Sequence, residues 1–114
     1  GGHGAGTFLT ASFFLEAAPL PRAALQAWVA EHLAPARHVL RAKGMLWLAD
    51  ERGTRYDFHF SGTRCLELRG AGPWGGPAAS RLVMIGTSAS ELGALINALE
   101  AAAGGGAGAP NQKT

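Results

Sequence analysis

The sequence predicts one α+β domain: a two-layer sandwich whose mostly antiparallel sheet of about five strands carries two helices on one face. Three observations predict it. Periodic segments follow one another in the order β-α-β-β-β-β-α. The connections between the middle strands are too short for the crossovers that parallel strands require. Two segments carry an apolar stripe at helical spacing, and such a stripe is stable only when buried against another layer. At 114 residues the chain has the length of a single domain.

The first strand falls at residues 7–15, a β-prone run without a breaker, and ends in the segment 16–19. Pro21 suits the first turn of a helix, where its missing N–H would be unpaired in any case. Leu25, Trp28, Val29, His32 and Leu33 then line one helical face, and Pro35 stops the helix. In residues 39–48 a period of two sets Leu40, Ala42, Leu46 and Leu48 on one face, with Arg41, Lys43, Met45 and Trp47 on the other. Gly44 inside this strand predicts a bulge or a close backbone approach.

Residues 50–53 form a turn into a hairpin. There Tyr56, Phe58 and Phe60 alternate with Asp57 and His59, and residues 64–68 make the return strand. A loop of Ser61, Gly62 and Thr63 aligns Phe58 with Leu66 and Tyr56 with Leu68, which keeps the apolar side chains on one face. His59 then lies across from Cys65 and Asp57 across from Glu67. Residues 70–77 read as a loop holding one large aromatic, Trp74. Residues 81–86 are a short, nearly all-apolar strand, expected inside the sheet. The run Ser88-Ala89-Ser90-Glu91 fits a capping box. The closing helix places Leu92, Leu95, Ile96 and Leu99 on one face and ends by the glycines from Gly104.

Composition sets the outer limits. Residues 1–6 are Gly, Ala and one histidine, and residues 104–114 are a Gly/Ala run followed by Pro-Asn-Gln-Lys-Thr. Neither end buries enough apolar surface to offset the ordering of its chain. Residues 1–6 are therefore expected as a flexible flank, 7–103 as the foldable unit and 104–114 as a disordered tail. The first residue is Gly rather than Met, as expected of a processed product or of a piece of a longer gene product. No apolar run approaches the ~18–20 residues of a membrane span, and no secretion signal is visible. The expected location is the cytoplasm or an organellar stroma or matrix, without secretion. Formal charge is +2 with scattered basic residues, whereas nucleic-acid binding calls for a basic stripe. The single cysteine, Cys65, rules out an internal disulfide framework and fits a reducing compartment.

The motifs of several catalytic classes are missing from this sequence. It has no phosphate-cradling G-x-x-x-x-G-K-[ST], no C-x-x-C, no H-E-x-x-H and no G-x-S-x-G elbow. Gly70, Gly72, Gly75 and Gly76 precede a strand rather than a helix, the wrong context for a dinucleotide fingerprint. Cys65 lies in a predicted strand with nothing to lower its pKa. The expectation is a domain without a catalytic centre of its own.

Three pieces in order carry a resemblance: the strand of residues 39–48, then Gly72-Pro73-Trp74, then residues 80–86 followed by a helix. Together they resemble the C-terminal domain of the CobW family, and Trp28 agrees with that family's first-helix tryptophan. The resemblance covers nearly all of residues 7–103. It implies an accessory domain of a GTPase regarded as a metal chaperone for zinc or cobalt. In that family the GTP/Mg centre and the thiol-rich metal motif lie in a separate N-terminal domain, so no cofactor is expected on this segment. The implied partners are that GTPase domain and a client metalloprotein. Nucleic acid and membrane are not expected; self-association stays open. Histidine-rich linkers are common between the two halves of such proteins, and His3 would fit the tail of one.

The motif positions Arg41, Lys43, Gly44, Trp47 and Trp74 are the candidate interaction residues. Arg41 and Lys43 read either as a docking surface for an acidic patch or as a solvated strand face whose stems cover Trp47. Trp74 reads either as a loop aromatic folded back onto the sheet or as an exposed contact. His59, Cys65, Asp57 and Glu67 are ligand types for a borderline metal and share the outer face of the hairpin; that face equally needs polar residues with no metal at all. A stand-alone metal-binding or regulatory protein using His59 and Cys65 is the alternative function.

Overall fold

The computed structural model describes residues 7–61 and 65–105. The expected flank 1–6, His3 and most of the expected tail lie outside the described residues. Five strands form one sheet: β1 (Leu9–Leu15), β2 (Val39–Trp47), β3 (Thr54–Ser61), β4 (Leu66–Pro73) and β5 (Ser80–Gly86). They are ordered β1-β5-β2-β3-β4, and every neighbouring pair is antiparallel. Helix α1 (Arg22–Trp28) continues into a π-helical turn (Val29–Leu33), and α2 (Ala89–Gly105) closes the chain. This is the α+β sandwich that the sequence predicts.

One face of the sheet is buried. Phe13, Ala42, Leu46, Phe58, Phe60, Leu82 and Met84 meet Leu25, Trp28 and Leu33 of the first helix and Leu92, Leu95 and Leu99 of the second in a single core. Trp28 ties the layers together. Its ring packs on Phe58 with centroids 6.5 Å apart, and its indole Nε1–H donates to the Leu95 carbonyl at 3.0 Å. A buried indole N–H without an acceptor would carry a desolvation cost, so this bond fixes α2 against α1.

Several local expectations are corrected. His32 is exposed and Leu33 buried. The π turn, closed by the Ala34 N–H to the Val29 carbonyl at 2.8 Å, widens the helix, so the residue below Trp28 is five positions on, not four. Leu40 is 40% exposed while Val39 is buried. A bulge between Val39 and Arg41 against β5 reverses the alternation there. Gly44 is the other kind of strand glycine, a close approach. A β-carbon on it would lie 2.0 Å from the Arg81 carbonyl oxygen.

The hairpin register differs by two residues from the expected one. Phe58 pairs with Leu68, His59 with Glu67 and Asp57 with Arg69, and the Ser61 N–H donates to the Cys65 carbonyl at 3.1 Å. A shift of two leaves every side chain on its own face, so burial of the apolar face fixed only the parity of the register. Strand β4 also runs on through Gly70, Ala71, Gly72 and Pro73, which were expected as loop. It is an edge strand, where glycine and proline cost little. Gly72, at φ 95°, accommodates the register shift between Thr54 and Tyr56.

The helix ends are held from a distance. Pro21 sits just before α1 rather than inside its first turn, and the Asp50 carboxylate accepts the Arg22 N–H at 2.8 Å. Ser88 Oγ accepts the Glu91 N–H at 3.2 Å, which is half of the expected capping box. Glu91 does not complete it. Its carboxylate accepts the N–H groups of Arg37 and His38 at 2.9 and 2.8 Å, fastening α2 to the entry of β2. Helix α2 extends through Gly105, two residues into the stretch expected as tail.

Two predictions follow from this packing. Gly44→Ala is expected to destabilise the chain by roughly 2 kcal/mol or more, because backbone must move, whereas Gly93→Ala is expected to stabilise it by about 0.5–1 kcal/mol. Gly93 lies within α2 with nothing near the site of an added β-carbon. Urea unfolding of both variants checks the pair. Tyr56, the only tyrosine, donates its hydroxyl hydrogen to the Glu51 carboxylate. That bond favours the neutral phenol and raises its pKa above 10.0. The raised value means a contribution present at neutral pH and lost as pH rises through the folded-state pKa. Ultraviolet titration is expected to give a midpoint above 10.0, and Glu51→Gln to lower it.

Candidate functional site

The opposite face of the sheet carries no helix, and the cross-strand register assembles its side chains into rows. One row runs Ser12, Val83, Lys43, His59, Glu67, and the next runs Phe14, Arg81, Met45, Asp57, Arg69. A third begins Thr10, Ile85, Arg41, Ser61. Period two within each strand keeps these residues on one side. The bulge at Leu40 lies beyond the third row and leaves them undisturbed.

The two halves of this face differ electrically. Strands β1, β5 and β2 contain no acidic residue. Arg41, Lys43 and Arg81 make no ion pair among the described residues. The Arg81 guanidinium rests over the Phe14 ring, 5.0 Å from its centroid, a contact that leaves its charge uncompensated. On β3 and β4 the charges answer one another: Arg55 lies 3.4 Å from Asp57, and Arg69 lies 3.8 Å from Glu67. These exposed pairs are weak energetically, but they neutralise that half.

The cationic half is also apolar. Phe14, on the edge strand β1, and Val83, on the internal strand β5, are 50% and 46% exposed. Between β2 and β5 lies an open depression of about 450 Å³, lined by Arg41, Lys43, Gly44, Met45, Arg81, Val83 and Ile85. A second depression, of about 230 Å³, continues past Met45 and Arg81 to Arg55, Trp74 and Pro77. Trp74 is therefore folded back, half-buried, at the margin of the open face and not in the core.

Of the sequence-predicted interaction residues, Arg41, Lys43 and Gly44 line the main depression, and Trp74 lines its continuation. Trp47 lies on the same face, opposite Arg55. Its backbone N–H donates to the buried Ser80 Oγ at 2.9 Å, while its indole Nε1, like that of Trp74, has no hydrogen-bond acceptor. Arg81, Val83, Ile85 and Phe14 belong to the same site and were not anticipated. Their signal lay in the alternation of β5, legible only once its neighbours were known. The metal-type residues separate by pairing: His59 faces Glu67, Asp57 faces Arg69, and Cys65 sits exposed across from Ser61. Among the described residues no three of His, Cys, Asp and Glu form a group able to hold a metal ion. No helix among them is long and apolar enough to cross a membrane.

The chain is thus a helix-covered antiparallel sheet whose other face is bare, cationic and apolar. The family model described as "Cobalamin synthesis protein cobW C-terminal domain" matches residues 10–103, and the chain belongs to that family. Among solved structures it is similar to the Zn(II)-bound YjiA GTPase from E. coli, with a TM-score of 0.69 and 25% identity over 82% of this chain and 29% of that one. A Zn(II)-bound triple mutant of YjiA gives a TM-score of 0.70 with the same identity and coverage. The chain thus spans less than a third of the solved structures it resembles. No curated protein matches it.

Because Val83 faces outward and Met84 is fully buried, the two neighbours are expected to respond oppositely. Val83→Thr is expected to leave stability within about 0.5 kcal/mol and to lower the binding of a hydrophobic dye. Met84→Ala is expected to cost about 2–5 kcal/mol. Chemical unfolding and dye fluorescence check both.

Proposed function

We propose that this chain is the accessory domain of a CobW-type, GTP-dependent metal chaperone. In this reading a separate GTPase domain binds GTP with magnesium, and the present domain docks on it and contacts a client metalloprotein that receives zinc or cobalt. The domain itself performs no catalysis. Family membership supports the setting, as does the likeness to a zinc-bound GTPase of which the match covers 29%.

The observation that carries the reading is the asymmetry of the sheet. Its helix-covered face is a complete core, whereas its other face leaves Phe14 and Val83 exposed beside three cations without ion-pair partners. Exposed apolar side chains grouped with unanswered charge mark a surface that meets a partner. Arg41 and Lys43 supply the charge, Gly44 brings β2 close against β5 beneath the depression, and Trp74 lines its continuation.

The test is capture of the matching GTPase domain by the immobilised 114-residue chain, with and without GTP and zinc. Capture is expected, and the double variant Arg41→Glu, Lys43→Glu is expected to weaken it at least about tenfold. No capture in any nucleotide state contradicts the docking role. Zinc titration supplies the contrast with a stand-alone metal binder: tighter binding by the parent than by His59→Ala would favour that alternative.

A further inference from the structure

We propose that the trough over β2 and β5 receives an amphipathic helix of a partner protein, its apolar stripe bordered by carboxylates. The proposal rests on the docking role above and adds the chemistry of the docked segment.

The trough is continuous. Its two depressions share Met45 and Arg81, and a further hollow beside Phe14 shares Arg81 and Val83. Apolar side chains therefore form the floor, and Arg41, Lys43 and Arg81 stand among them. With no acid on β1, β5 or β2, no carboxylate of these strands competes for the three cations. A partner that offers both apolar groups and carboxylates satisfies both features, and a rim of complementary charge fixes its register. At the far end, Trp74 Nε1 is a donor without an acceptor.

The backbone decides between a strand and a helix. Strands β2 and β5 are both internal, so their N–H and C=O groups are already committed to neighbours. An extended segment laid over them would leave its own backbone groups unpaired; extended segments pair instead at sheet edges. A helix arrives with its backbone satisfied and presents a stripe of side chains. From Arg41 to Trp47 the strand runs about 20 Å, the length of roughly 13 helical residues.

Charge also selects against other occupants. A second copy docked face to face about a two-fold axis would set cations against cations. Nucleic acid is poorly served by an apolar floor with few cations.

The probe is a blocked peptide of about 14 residues with leucines at helical spacing bordered by glutamates. A control peptide carries glutamine for every glutamate. Both are titrated into the isotope-labelled 114-residue chain and followed by amide chemical shifts. The glutamate peptide is expected to shift amides of β2 and β5 and to bind at least about tenfold more tightly than the control. The double variant Lys43→Glu, Arg81→Glu is expected to reverse that preference toward a lysine-bordered peptide. Val83→Glu, at an exposed position, is expected to block the parent peptide without disturbing the fold. Equal binding of the control, shifts confined to the helical layer or to β3 and β4, dimerisation through the same face, or displacement by a single-stranded oligonucleotide would each overturn the proposal. If the chain captures the GTPase domain but not the peptide, only the helix proposal falls. If it binds the peptide but not the GTPase domain, the docking role falls and the chemistry of the trough stands.

Discussion

At Gly44 the backbone of β2 runs so close to β5 that no β-carbon fits between them. Gly86 repeats the constraint toward the other end of the strand pair, where a β-carbon would lie 2.5 Å from the His38 carbonyl oxygen. These strands are far apart in the chain, and no tight turn sets their register. The two glycines do so instead. A slip of one residue would bring a side chain into a space that only hydrogen fills. The resulting register places Lys43 beside Val83 and Met45 beside Arg81. The packing constraint that builds the centre of the sheet thus also composes its open face.

The helical layer is held to this sheet by a few long-range bonds superimposed on ordinary apolar burial. Trp28 reaches Leu95, Glu91 reaches the entry of β2, and Asp50 reaches the start of α1. Leu20 joins in by exchanging backbone bonds around Trp47, donating to its carbonyl and accepting from the Ala49 N–H. Each of these contacts lies on the core side or at the ends of the sheet. None uses the outward side chains of β1, β5 or β2. The fold is therefore complete without that face, which leaves it available for a partner.

The sequence disclosed the architecture well because its strongest signals were periodic. The alternation of β3 and β5, the leucine stripe of α2 and the proline boundaries of α1 each follow from local chemistry. What it could not disclose depended on non-local geometry. The π turn that exposes His32, the bulge that exposes Leu40 and the two-residue offset of the hairpin all preserve local preference while changing a neighbour. The site was half legible. Arg41, Lys43, Gly44, Trp47 and Trp74 stood out through the family resemblance. Arg81, Val83 and Phe14 did not, because their adjacency to β2 comes from the strand order, which the sequence leaves open. The metal-type residues of the hairpin show the converse: residues that share a face need not converge on a point.

The most direct measurement of the central claim, that the bare face meets a partner, is a lysine footprint. The chain has two lysines, Lys43 on the open face and Lys113 in the C-terminal segment. Acetylation of each is followed by mass spectrometry in the free chain and in its complex with the matching GTPase domain. The account predicts that complex formation slows modification of Lys43 several-fold, measured against a lysine peptide added to both samples as the reference. A stable complex in which Lys43 reacts as fast as in the free chain would contradict it.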